Sequence, residues 1–185
     1  MTSTRVAVGV TFMRMDQRGS EPRPMPQDST IVRLAHCSVP FYRYLYGTVG
    51  GPYLWWLRRS LRDTELASIL RNPSVSVHVL YRGGEPAGFF ELDTGSKPNV
   101  NLSYFGLMPH AVGLGLGTAF LDAAIEAAWE AGARTITVNT CTADHERALP
   151  NYVRAGFSKI RVVSEVWEIP TRLGLTIPTH LRAPT

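Results

Sequence analysis

Three things are scarce in this sequence: cysteine, long hydrophobic runs and blocks of one charge. Its 185 residues hold two cysteines, Cys37 and Cys141, which lie far apart and form no CxxC pair, so no metal site is expected. No apolar run reaches the roughly 20 residues of a membrane-spanning helix, and the first residues lack the pattern of a signal peptide. We therefore expect a cytoplasmic protein with no membrane partner and no metal.

The excess of positive charge is small. Lysine and arginine total 19 and aspartate and glutamate total 15, and the formal net charge of +4 argues against a nucleic-acid partner. The densest basic cluster, Arg58, Arg59 and Arg62, is followed by Asp63 and Glu65 and is predicted to form a solvated helix face. The mild positive balance suits a ligand that carries several phosphates.

The length and composition of the chain predict one globular domain, since apolar residues make up 44% of its 185 residues. Residues 5–13 are rich in β-formers and predict a strand. Residues 75–81, 87–92 and 100–107 predict three more strands, joined by short turns. Three consecutive strands of this kind form an antiparallel meander.

The second half of the chain changes character. A helix is predicted from Gly113 to about Ala131, then a strand over 135–140, a helix over 145–155 and a strand over 159–169. The tail that begins at Pro170 is expected to be loosely ordered.

Residues 31–70 give a weaker pattern. Pro40 and the glycines and prolines over 47–52 interrupt the first half, so no regular element is predicted there. Leucines and isoleucines recur at helical spacing over 53–70, which predicts a helix that ends at Asn72-Pro73.

A glycine-rich turn joins strand 100–107 to the helix that follows. Gly113, Gly115 and Gly117 stand at alternate positions, where backbone amides approach a ligand closely because no Cβ intervenes. The helix N-terminus adds a partial positive charge that suits phosphate. The pattern predicts a pyrophosphate site, and a tight turn without a ligand is the alternative.

Two nucleotide-binding families do not fit this turn. A P-loop requires Lys-Ser or Lys-Thr after its last glycine, whereas Thr118 follows Gly117 directly. A Rossmann dinucleotide site requires glycine in place of Thr118 and an acidic residue at the end of the next strand, which reads Asn139-Thr140-Cys141. The antiparallel meander also contradicts a doubly wound parallel sheet.

Two segments resemble the signatures of the GNAT N-acetyltransferase superfamily. LMP at 107–109 followed by VGLGLG at 112–117 resembles V-x-P and Q/R-x-x-G-x-G/A, with Val112 in place of the usual Gln or Arg. ALPNYVRAGF at 148–157 resembles A-x-x-x-Y-x-x-x-G-F. In this order the two segments identify the chain as similar to that superfamily over roughly residues 75–165.

The resemblance implies an α/β (α+β) GNAT fold, with a mixed central β-sheet of about six to seven strands, a V-shaped splay and flanking helices. Residues 1–185 would form a single domain. Within it, residues 1–72 would shape the acceptor site, 73–169 would bind acetyl-CoA and 170–185 would form a tail.

The resemblance also implies acetyl-CoA as co-substrate, held between the splayed strands at 100–107 and 135–140. The backbone of Phe105, Gly106 and Leu107 would pair with the pantetheine arm and polarise the thioester carbonyl. The pyrophosphate would be bound by the amides of one continuous segment: Val112, Gly113, Leu114, Gly115, Leu116, Gly117 and Thr118.

A small or peptidyl amine would then attack the thioester directly. Tyr152 matches the family's general acid, which protonates the leaving thiolate. Many relatives carry a glutamate or histidine base where this sequence has Asn101, which holds a water but is no base. We therefore predict Glu91 as the base, with a pKa raised by desolvation beside two phenylalanines, and His78 as the alternative.

The aromatic N-terminal segment would shape the acceptor pocket, with Tyr42, Tyr44 and Trp55 in contact with the substrate. The sequence does not select among small amines, amino acids, antibiotics, peptides and protein lysines. Two interpretations compete with an active enzyme: a CoA-binding regulatory module without turnover, and an interaction protein. The resemblance is also compatible with a homodimer through the C-terminal strand.

Overall fold

A seven-stranded mixed sheet forms the centre of the computed structural model, which describes residues 2–19 and 21–183. The strands are β1 (Ser3–Met15), β2 (Ser29–Arg33), β3 (Val75–Arg82), β4 (Glu85–Ser96), β5 (Asn99–Leu107), β6 (Thr135–Cys141) and β7 (Ser158–Pro170). The helices are α1 (Val39–Gly50), α2 (Leu57–Ser60), α3 (Asp63–Arg71), α4 (Leu116–Glu130) and α5 (Ala148–Ala155). The spatial order of the strands is β2-β3-β4-β5-β6-β1-β7. The prediction of a mixed sheet of six to seven strands flanked by helices is confirmed.

The antiparallel meander is present in β3, β4 and β5. The turn between β3 and β4 contains Gly83 and Gly84, both with positive φ, as a tight hairpin turn requires. A strand that the sequence did not predict, β2, adds to the free edge of β3. Its five residues do not alternate cleanly between buried and exposed side chains, because a strand at the edge of a sheet is little buried.

The strands β5 and β6 run parallel and separate soon after they meet. They pair only where Asn99–Asn101 lies beside Thr135–Thr137, although β5 continues to Leu107 and β6 to Cys141. Beyond Asn101 the two strands leave a wedge-shaped opening in the sheet. The predicted V-shaped splay is therefore present.

Helices cover both faces of the meander. Neighbouring residues of a strand point to opposite faces, so Phe89 and Phe90 of β4 lie on different sides of the sheet. Tyr42 of α1 packs edge-on against Phe89, with 6.0 Å between ring centroids, and Phe120 of α4 packs against Phe90 at 5.5 Å. Helices α1 and α4 therefore enclose the meander from opposite sides.

The helix α1 corrects the prediction that residues 31–52 contain no regular element. Its N-cap residue, Ser38, accepts a hydrogen bond from the Phe41 amide at 3.4 Å. Pro40 stands in the first turn, where a proline is tolerated because the amide it lacks has no partner inside the helix. Gly50 at the other end allows close packing, since a Cβ there would lie 2.3 Å from Trp55.

The single helix predicted over 53–70 is two helices, α2 and α3. Leu61 and Arg62 between them have extended backbone, and the Arg62 amide is capped by Glu65 at 2.8 Å. The helices predicted from Gly113 and from residue 145 begin later, at Leu116 and Ala148.

The first strand lies between the last two, where local sequence gave no indication of it. The strand β1 pairs antiparallel with β6 on one side and with β7 on the other. The tail after β7 was expected to be loosely ordered, but it packs on β1. Ile177 and Leu181 are buried in a second core with Val6, and the Ala183 amide donates to the Arg5 carbonyl at 3.0 Å.

None of the helices among the described residues has the length and apolar character needed to cross a membrane.

His78 of β3 provides a test of the packing. It stacks on Phe90 at 4.4 Å, and burial, followed by the charge of Arg33, lowers its pKa to about 4. The unfolded chain therefore binds a proton between pH 6.5 and 4 that the folded chain excludes, so stability falls as pH decreases through this range. The free energy of unfolding of the wild type should therefore drop between pH 6.5 and 4, and we expect His78→Phe to make this drop about 3 kcal/mol smaller. Urea unfolding at several pH values measures it. An unchanged decrease in the His78→Phe variant would contradict His78 as its cause.

Candidate active site

A cleft of about 1320 Å³ opens where β5 and β6 diverge. Residues from both strands line it, together with the α4 N-terminus, α5 and the segment that leads into α2. Sites for one small ligand usually occupy about 300–1,000 Å³. The cleft therefore has room for an extended cofactor and a second substrate.

The glycine turn forms one end of the cleft. Gly113 (φ 84°) and Gly115 (φ 77°) have left-handed backbone conformations, and Gly115 caps α4. Gly117 differs from both, because its φ is not positive and a Cβ there would meet only Leu107 Cδ1, at an ordinary 3.7 Å. Backbone conformation therefore explains the first two glycines but not Gly117.

The predicted cofactor-binding residues divide into two groups. Leu114 and Leu116 do not line the cleft, since the first is 55% exposed and the second is fully buried in the core. Only their backbone amides remain available to a ligand. The others line the cleft: Phe105, Gly106, Leu107, Val112, Gly113, Gly115, Gly117 and Thr118.

Asn101 lies at the point where the splay begins. Its Oδ1 accepts from the Thr137 hydroxyl at 3.0 Å, and its Nδ2 donates to Ser103 Oγ at 3.1 Å. Ser103 is an extra residue in β5, because Glu91 pairs with Tyr104 and the next residue of β4 pairs with Leu102. Such a bulge re-aims the strand beside the opening, as is common next to active sites.

Tyr152 of α5 lines the cleft between the two strands, and its residue surface is 6% exposed. Its ring contacts Phe157 at 5.7 Å and Phe105 at 6.4 Å between centroids. Burial, followed by the charge of Asp144, raises the pKa of Tyr152 well above its ordinary value. The phenol therefore keeps its proton near neutral pH and is present in the cleft in its acid form.

Glu91 has a different environment from the one expected of a base. Its side chain is completely buried, and both oxygens have partners: Arg58 Nη2 donates to Oε1 at 2.7 Å and the Tyr42 hydroxyl donates to Oε2 at 2.5 Å. Glu91 does not line the cleft. Because the carboxylate is buried outside the cleft, it does not reach a substrate amine there, and the geometry favours a positioning role.

Arg58 is the residue that the sequence interpretation missed. It was predicted to lie on a solvated helix face, but its side chain is only 19% exposed and it lines the cleft. Burial opposes its charge, yet Glu91 and the neighbouring tyrosines outweigh this, and the pKa of Arg58 is raised. Arg59 instead donates to the Leu173 carbonyl at 3.0 Å, and of the cluster only Arg62 is largely solvated.

Aromatic rings form the wall beside Arg58. Trp55 lies 5.3 Å from Tyr46 and 5.1 Å from Tyr104, measured between centroids, and all three line the cleft. The other two predicted acceptor contacts do not reach it. Tyr42 is buried beneath the wall, and Tyr44 is 45% exposed and stacks on Phe41.

Cys141 and Asp144 lie where β6 leads toward α5, and both line the cleft. Asp144 Oδ2 accepts from the Thr140 hydroxyl at 2.7 Å and from the Cys141 amide at 2.8 Å. Burial, and then the Asp144 charge, raise the pKa of the Cys141 thiol to about 12. The thiol therefore stays protonated and is a poor nucleophile near neutral pH.

No cluster of three or more metal-ligating side chains occurs among residues 2–19 and 21–183. The arrangement instead combines a phosphate-compatible helix N-terminus, open strand edges and a protonated phenol. These elements suit transfer of an acyl group from a phosphate-bearing carrier.

Comparison with known proteins agrees with this description. The sequence model of the Acetyltransferase (GNAT) family matches residues 38–157, well over half of the chain. The protein belongs to the GNAT acetyltransferase family. A comparison with curated proteins gives no match.

Solved structures show the same fold at low sequence identity. A GCN5-related N-acetyltransferase from Sphaerobacter thermophilus is 16% identical with a TM-score of 0.64, over 90% of this chain and 52% of that chain. One from Kribbella flavida is 14% identical with a TM-score of 0.61, over 90% and 60%. An aminoglycoside acetyltransferase from an uncultured soil metagenomic sample, in complex with trehalose, is 20% identical with a TM-score of 0.59, over 74% and 93%. The chain thus spans little more than half the length of the first two structures.

Proposed function

We propose that this protein transfers the acetyl group of acetyl-CoA to a primary amine by direct attack, as a single-domain enzyme of the cytoplasm. The observation that carries the proposal is the opening between β5 and β6 beyond Asn101, with the α4 N-terminus at one end and the Tyr152 phenol inside it. Family membership supports acyl transfer in general. The cofactor and the acceptor class are the parts that need experiment.

The cofactor would lie along the opening. The pyrophosphate fits the α4 N-terminus, whose first amides have no partner inside the helix and carry the positive end of its dipole. The pantetheine arm fits the free edge of β5 from Phe105 to Leu107, because that edge has lost its pairing with β6. A backbone amide of this edge would polarise the thioester carbonyl.

The chemistry then needs two proton transfers. The amine nitrogen attacks the carbonyl carbon, the carbon–sulfur bond breaks, and Tyr152 protonates the thiolate that leaves. With Glu91 occupied, we assign removal of the amine proton to water held at Asn101, whose amide has hydrogen-bonding capacity beyond its contacts with Thr137 and Ser103. Tyr152 recovers its proton from solvent.

The homodimer stays a prediction. The strand β7 pairs with β1 along one side only, and Ile160, Val162 and Val166 on it are exposed. Gel filtration of the purified chain tests it directly.

Calorimetric titration with acetyl-CoA tests the proposal, with NADH and ATP as controls. We expect micromolar binding of acetyl-CoA alone. If a folded sample shows no binding, the glycine turn has no ligand and the proposal is wrong.

Gly117 gives a sharper test of the cofactor site. Replacing it with leucine should leave folding intact, because a Cβ there would meet only Leu107 Cδ1 at an ordinary 3.7 Å and the φ of Gly117 is not positive. The side chain would occupy the space assigned to the pyrophosphate, so we expect the Kd for acetyl-CoA to rise at least about tenfold, or 1.4 kcal/mol. Gly47→Leu is the matched control, since Gly47 lies in α1 outside the cleft with open space around it. Equal affinity in both variants would contradict the loop assignment.

A further inference from the structure

The proposed chemistry gives no role to Arg58, yet its guanidinium is the fixed positive charge of the acceptor wall. One nitrogen, Nη2, donates to the buried Glu91 carboxylate at 2.7 Å. The guanidinium carbon lies 5.4 Å from the centroid of the Tyr104 ring. The backbone amide of Arg58 donates to the Tyr46 hydroxyl at 3.3 Å, which ties the start of α2 to the wall. Two contacts therefore orient the side chain, and the third fixes the backbone from which it extends.

The fixed guanidinium keeps unused hydrogen-bonding capacity. Arginine carries five N–H donors, and the one side-chain hydrogen bond of Arg58 within the described chain goes to Glu91. Its Nε is buried and has no partner. A buried donor without a partner is costly, and such a group needs an explanation. Because Nε is closed to the cleft, a ligand on the cleft side of the guanidinium would use Nη1, which carries two N–H groups and has no hydrogen-bond partner in the described chain.

The charge balance indicates what kind of ligand fits. Glu91 is fully buried and does not line the cleft, so it offsets part of the positive charge of Arg58 without occupying the cleft itself. A single guanidinium that is partly neutralised suits one negative charge better than a phosphate dianion. Its planar fork matches the two oxygens of a carboxylate.

The position of Arg58 links this carboxylate site to the proposed reaction. Tyr104, under the guanidinium, directly follows the bulge at Ser103 where the opening begins. A carboxylate bound at Arg58 would leave an amine on the neighbouring carbon beside the edge of β5, where the thioester is proposed to lie. Trp55 and Tyr46 would flank the rest of such a molecule.

We propose that the acceptor is an amino acid, recognised through its carboxylate by Arg58, which the buried Glu91 and Tyr42 position. This inference rests on the proposed function, because it names the substrate class of the same site. It makes Arg58 a specificity-determining residue that takes no part in the proton transfers. Loss of Arg58 should therefore raise KM for amino acids far more than it lowers kcat.

The test compares matched substrates on the wild-type enzyme. Each proteinogenic amino acid is assayed for acetylation beside its methyl ester and, where one exists, its decarboxylated amine, such as tryptophan with tryptamine. We expect kcat/KM for the best amino acid to exceed that of its amine and ester by about 10- to 100-fold, the range of a charge-assisted hydrogen bond. Equal or better turnover of the uncharged partners, or no turnover of any amino acid, would overturn the inference.

Variants separate recognition from folding. Arg58→Gln alone leaves Glu91 buried without its partner, so the neutral pair Arg58→Gln with Glu91→Gln is made as well. In either variant that folds, the preference for the amino acid over its amine should disappear while acetyl-CoA affinity is kept. Arg62→Gln, at the 80% exposed Arg62, is the control and should keep the preference. A preserved preference in the neutral-pair variant would contradict the role of Arg58.

The acetyl-CoA titration distinguishes the two proposals. Absence of acetyl-CoA binding removes the proposed function and this inference with it. Normal acetyl-CoA binding with a preference for amines that lack a carboxylate leaves the transferase intact and overturns the amino-acid acceptor alone.

Discussion

Replacing Tyr152 with phenylalanine is expected to lower kcat by about 10²- to 10⁴-fold, the usual contribution of a general acid. The ring that packs against Phe105 and Phe157 is kept, so the fold and the Kd for acetyl-CoA should change little. Steady-state kinetics with a saturating amine, together with calorimetry, measure both quantities.

The pH dependence adds a second measurement. The pKa of Tyr152 is raised by burial and by Asp144, so the phenol stays protonated through neutral and moderately alkaline pH. The wild-type rate should therefore show no loss from tyrosine ionisation up to about pH 10, the ordinary value for tyrosine. Tyr53→Phe is the matched control, because Tyr53 also lines the cleft. Equal activity of the two variants would show that Tyr152 acts only in packing.

Glu91→Ala is expected to reduce the free energy of unfolding by about 3–5 kcal/mol, the usual cost of removing one partner from a buried ion pair. The substitution leaves the Arg58 guanidinium and the Tyr42 hydroxyl without the carboxylate that both contact. Urea unfolding followed by fluorescence gives the free energy.

Two comparisons make this prediction specific. Glu168→Ala removes one partner of an exposed ion pair with Arg5 and should cost no more than about 1 kcal/mol. The double variant Arg58→Met with Glu91→Leu removes both buried charges and should recover most of the lost stability. If Glu91→Ala costs no more than Glu168→Ala, the pair has no structural importance.

Patterns within short stretches of sequence were enough to predict the antiparallel meander and the glycine turn. The alternation of β3, β4 and β5 reports which side chains face the core, and the Gly83-Gly84 turn fixes their antiparallel connection. The glycine turn before α4 was predictable because left-handed backbone at Gly113 and Gly115 favours one residue type.

Other elements were missed because the same residues in the sequence are compatible with more than one structure. Pro40 breaks a helix in its interior but is tolerated in the first turn, and the sequence does not state which position it holds. The order of the tail also depends on distant residues, since Ile177 and Leu181 are buried against β1, at the other end of the chain.

The sequence by itself determined the family, the sheet-and-helix architecture, the glycine turn and the placement of Tyr152 as the candidate acid. The architecture is encoded by the periods that a helix or a strand imposes on the chain, whereas the family and the candidate role of Tyr152 come from the resemblance of two segments to the family signatures. Tertiary structure alone decided that β1 lies between β6 and β7 and that Glu91 meets Arg58, 33 positions away in sequence. An ion pair of this kind leaves no periodic pattern in the sequence, because its partners are brought together only when the chain folds and the Arg58 side chain reaches Glu91 of β4 and Tyr104 of β5.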